Sequence, residues 1–180
     1  MKHIFKHSSL LLLAVTVLLL AGCIVSGTFV VTLLIDRDEF TTGDNFYYYG
    51  VDLTDEDVWQ DHKDDIESID VVGFELWITN NSGSATTFNI WIEDIGQPQR
   101  TTIAQVQANA TQVVQDLSVP TGSSHVTYGQ SLSHVINIPT LRALAMSGAF
   151  HYYGSSSVGG PGAQYVVDSA RVIVTLTASN

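Results

Sequence analysis

Period-two alternation of apolar side chains runs through most of this chain, and it constrains the fold more than any other feature. Phe29, Val31, Leu33 and Ile35 alternate with Thr28, Val30, Thr32 and Leu34. Tyr47, Tyr49, Val51 and Leu53 repeat the pattern, and Ile66 to Thr79 places Val72, Phe74, Leu76 and Ile78 on one face. Phe88, Ile90 and Ile92 follow after the turn-rich Asn80-Asn81-Ser82-Gly83-Ser84. Near the C-terminus Val166, Ala170, Val172, Val174 and Leu176 share a face. A strand sends successive side chains to opposite faces, so such stretches separated by turn residues mark half-buried strands. Without a regular strand–helix rhythm they predict an all-β chain, an antiparallel β-sandwich of immunoglobulin-like architecture.

Two short helices are expected among the strands. Thr54-Asp55-Glu56-Asp57 opens one that runs to about Asp65, because Thr54 can cap and acids favour the positive end of the helix dipole. The other spans Pro139 to Ser147, with proline in its first turn and Gly148 to stop it. Residues 101–119 fit two patterns. Ile103, Val106, Ala110, Val113 and Leu117 suit a helical face, while Gln112 to Val119 reads as a strand; strands are the expectation, since Thr and Val are frequent there. Gly154 to Gly162 reads as a loop between the last two strands.

The first residues carry a different signal. Lys2 and Lys6 make a basic start, and Ser8 to Leu20 is almost wholly apolar. Its 13 residues would make a helix of ~20 Å, short of the ~30 Å that a membrane span requires. It therefore reads as a signal-peptide core. It ends at Leu20-Ala21-Gly22-Cys23, which resembles the commonest form of the bacterial lipobox. The resemblance implies cleavage after Gly22, a diacylglyceryl thioether on Cys23, and often a third, amide-linked chain. It divides the sequence into a signal peptide, 1–22, and one mature domain, 23–180. Ile24 follows the cysteine, where aspartate would imply inner-membrane retention, so the resemblance implies the outer membrane in a Gram-negative cell.

Charge narrows the partners. The chain has 18 acids and a formal net charge of −11. After cleavage only Arg37, Lys63, Arg100, Arg142 and Arg171 oppose the acids. Nucleic acid is an unsuitable partner, because phosphate contacts need a basic surface. Cys23 is the one cysteine, so the mature domain has no disulfide and no thiolate for a metal or a nucleophile. Most of the acids lie in residues 36–75. Asp36, Asp38, Glu39 and Asp44 are the candidate calcium ligands, because hard cations take several close-spaced oxygens. No EF-hand pattern fits them, and a solvated acidic face is the alternative. The covalent lipid on Cys23 is the only prosthetic group implied.

Aromatic positions give a second candidate. Trp77 and Glu75 lie opposite the apolar face of one strand, and Trp91 and Glu93 opposite that of the next. If the two strands form a hairpin, Trp77 and Trp91 become neighbours on one outer face, flanked by Glu75 and Glu93. Two indoles beside carboxylates could stack on a sugar. The alternative is second-layer packing beneath a helix or another sheet.

Catalytic patterns are weak. His62, His125, His134 and His151 include no i, i+4 pair for zinc. Gly129-Gln130-Ser131-Leu132-Ser133 lacks the final glycine of a nucleophile elbow. The expectation is therefore a lipid-anchored, non-catalytic envelope protein that binds or scaffolds. Its partners would be the membrane, through the anchor, and an envelope protein or a glycan. A carbohydrate- or calcium-binding module is the alternative, and a hydrolase ranks below both.

Overall fold

A computed structural model describes residues 26–35, 38–41, 46–54, 59–60, 63, 66–158 and 164–179. The signal segment 1–22, Cys23, His62, and the acids Asp36, Asp44 and Asp55 lie outside the described residues, as does most of the expected helix 54–65.

The described strands form two antiparallel sheets, the sandwich that the alternation predicts. One holds β1 (Ser26–Ile35), β9 (Gln164–Ser179), β4 (Ile66–Asn80) and β7 (Gly122–Val126) in that order, with β2 (Asp38–Thr41) also on β9. The other runs β3 (Tyr47–Asp52), β8 (Ala149–Ser156), β5 (Thr86–Asp94), β6 (Thr111–Val119). The long pair β4 and β9, rich in valine and isoleucine, is the spine of the first sheet. Ile78, Phe88, Val114, Leu117, Val119, Val126 and Tyr165 fill the space between the sheets. Each aliphatic side chain buried there contributes roughly 1.5–3 kcal/mol.

Three helices lie wholly among the described residues. α1 (Ile103–Asn109) is capped by the Thr102 hydroxyl, which accepts from the Gln105 N–H. α2 is the single turn Tyr128–Ser131. α3 (Ile138–Ser147) lies one residue from its expected start and stops at Gly148, whose φ of 86° suits glycine. Leu141 and Ala145 of α3 pack on Ile69 and Val72, closing one end of the core.

Three expectations need correction. Residues 101–119 are not all strand: Ile103 and Val106 do lie on a helix, Ala110 caps it with extended backbone, and the strand begins only at Thr111. Gly154, Ser155 and Ser156 belong to β8 rather than to a loop. Most consequentially, β4 and β5 are not a hairpin, because they lie in different sheets. Asn80 makes the difference. Its buried side chain accepts from the Ser82 N–H at 2.9 Å and donates to the carbonyls of Ser84 (2.9 Å) and Val119 (3.3 Å). These bonds turn the chain out of one sheet and fix it to β6 of the other.

Candidate functional site

The paired-tryptophan platform does not form. Trp91 points away from the sandwich core, on the outer face of the second sheet, where α1 covers it. There it is 7% exposed and packs with Val106 and Tyr153, beside Phe46, Tyr48, Ile103 and Ala110. Glu93 lies beneath the same layer as one half of a forked ion pair: Arg100 Nε donates to its Oε2 at 2.8 Å and Nη2 to its Oε1. This carboxylate raises the Arg100 pKa further. The Arg100 N–H donates to the Tyr153 hydroxyl (3.0 Å). His151 is held between Tyr48, whose hydroxyl is 3.0 Å from Nδ1, and the Gln97 carbonyl, 2.8 Å from Nε2. A carbonyl only accepts, so Nε2 carries the proton. This third layer is a closed structural network, stitching the loop after β5 to β8.

Trp77 and Glu75 instead lie on the outer face of the first sheet. Register builds that face: β9 pairs Ser169 with Trp77 and Arg171 with Glu75, while β7 pairs His125 with Trp77. The His125 ring stacks on the indole, 4.4 Å between centroids and 9° between planes. Arg171 Cζ sits 5.1 Å from the ring centroid, and its Nη1 is 3.7 Å from Glu75 Oε2. Because β7 and β9 flank β4, imidazole and guanidinium approach Trp77 from opposite sides. A bulge between Trp77 and Ile78 sets Asp168 beside Thr79, whose hydroxyl donates to Oδ2 at 2.8 Å. Trp77, Ser123, Ser124, His125, Asp168, Ser169 and Arg171 line an open concavity of about 570 Å³. It offers a cation, an imidazole, a carboxylate and hydroxyls, a set suited to polar recognition.

Nothing local in the sequence marks His125, Asp168, Ser169 and Arg171. They meet Trp77 only through pairing of strands far apart in the chain, and the register of β9 on β4 is the signal that finds them.

Of the other candidates, Asp36 and Asp44 lie outside the described residues. Asp38 and Glu39 pair in register with Val167 and Val166, and among the described residues no His, Cys, Asp and Glu side chains gather as a metal group. His134 Nδ1 donates to the Gln115 carbonyl (3.0 Å). Ser131 is fully buried, donating to the Tyr128 carbonyl (2.8 Å) and accepting from the Phe74 N–H (3.0 Å). It completes the backbone bonding of β4 where β7 has ended.

No family model matches the sequence, and no curated protein matches it significantly. Among solved structures it is similar to a chain of Desmodium yellow mottle tymovirus, at 10% identity and a TM-score of 0.34, across 86% of this chain and 83% of that one. A likeness that weak carries no argument about function.

Proposed function

We propose that this chain is a lipid-anchored cell-envelope protein whose sandwich has a non-catalytic binding or scaffolding role. The sequence Leu20-Ala21-Gly22-Cys23 supports the anchor. The concavity around Trp77, His125, Asp168 and Arg171 carries the binding role, since it is where cationic, acidic and hydroxyl groups gather on an open face. Ile24 after the cysteine favours the outer membrane if the cell is Gram-negative.

The test is fractionation of a Gram-negative host expressing the full chain. The protein should travel with outer membranes on a sucrose gradient, resist high-salt and carbonate washes, and be extracted by detergent. Recovery of wild-type protein in the soluble fraction would sink the proposal.

A further inference from the structure

We propose that the bilayer itself is the partner of the first sheet's outer face, which lies along the lipid interface. This rests on the lipid anchor proposed above. Register defines the contact. Val30 pairs with Thr175, and Thr175 with Val71, so the three share one row of the outer face. The next row is Thr32, Ile173 and Gly73, and Leu132 packs over Gly73. Val30 is 65%, Val71 38% and Leu132 42% exposed. In a chain of net charge −11 these two rows hold no charged side chain. The charges that border them are engaged: Asp70 accepts from Ser68 and Thr177 on one side, and Arg171 pairs with Glu75 on the other.

Chain length selects the membrane over other occupants. Ser26, the first residue of β1, is three residues from Cys23. Successive Cα atoms are ~3.8 Å apart, so the lipidated residue lies within ~11 Å of the sheet. Val30 is four strand positions further, ~13 Å along β1. So short a tether gives the face a high effective concentration at the bilayer, where a small apolar row suffices. Beyond the rows, Trp77 and Arg171 are side chains suited to the headgroup zone. The contact is hydrophobic and interfacial, which fits a domain whose net charge would be repelled by anionic lipid.

The experiment uses the full lipidated chain in phosphatidylethanolamine–phosphatidylglycerol vesicles. Cys23 is blocked by its lipid, so an introduced cysteine takes a bimane label alone. Val71→Cys and Thr32→Cys report the outer face, and Gln107→Cys on α1 reports the opposite side of the sandwich. Lipids with shallow nitroxides should quench the labels at 71 and 32 at least twofold and leave 107 unchanged. Two labelled sites keep the test open if one variant misfolds. Equal quenching at all sites, or none at 71 and 32 in protein that floats with vesicles and carries lipid on Cys23, would overturn the inference. An unquenched face together with a doubled mass in detergent would assign it to a second copy and also overturn it. Protein without lipid on Cys23 would remove the anchor itself, and the inference with it.

Discussion

Gly73 is where the smallest side chain matters most. A Cβ at this position would fall 2.5 Å from Tyr128 Cε2 and 3.1 Å from Leu132 Cδ2, so α2 can seat on β4 only over glycine. Gly73→Ala should therefore destabilise the domain by about 1–3 kcal/mol, seen as a lower urea midpoint. Ser131 works on the same contact from the other side. Ser131→Ala leaves the Phe74 N–H without its acceptor and should cost about 1–3 kcal/mol. Two tyrosines of β8 give a pH signature. Burial pushes the Tyr152 phenol up to about 12 and raises that of Tyr153 as well. An unfolded chain releases these protons near pH ~10. The stability they contribute is therefore complete below about pH 10 and is lost as pH rises through the folded values. Urea midpoints followed across that range should fall, and Tyr152→Phe should flatten the fall.

At the scale of elements, the corner at Asn80 decides the architecture. Without it, β4 and β5 have the pattern of a hairpin; with it, they enter different sheets. Asn80→Ala leaves the Ser82 N–H and two carbonyls without the asparagine, and should cost about 1–3 kcal/mol by denaturant melt. The Glu93–Arg100 fork makes a second test. Arg100→Met alone leaves a carboxylate beneath the third layer, whereas Glu93→Leu with Arg100→Met removes both charges. The double variant should melt at a higher temperature than the single one.

These same elements show what is legible in the sequence. Strands such as β4 and β9 are visible because alternation is local, and α3 because Pro139 and Gly148 mark its ends. Residues 101–119 mislead because valine and threonine suit a strand, while the helix carrying Ile103 and Val106 is chosen by Trp91 and Tyr153 beneath it. The corner is invisible because one Asn80 bond reaches Val119, far along the chain. The candidate site is legible only in Trp77 and Glu75; its other groups arrive through register.

For the whole molecule, the layers have distinct surfaces. On the second sheet α1 and its aromatic and ionic network cover Trp91 and Tyr153, while the first keeps an outer face with two uncharged rows and a polar concavity. β1 starts three residues after Cys23 and belongs to that first sheet. If Cys23 carries the proposed lipid, the anchor precedes the open-faced sheet by only a few residues, as a domain held at the envelope requires. The most direct measurement is the mass of the mature N-terminal peptide from membrane-extracted protein. The expected species begins at Cys23 and carries diacylglycerol on sulfur, with or without a third acyl chain. A free Cys23 thiol, or a chain still beginning at Met1, would contradict it.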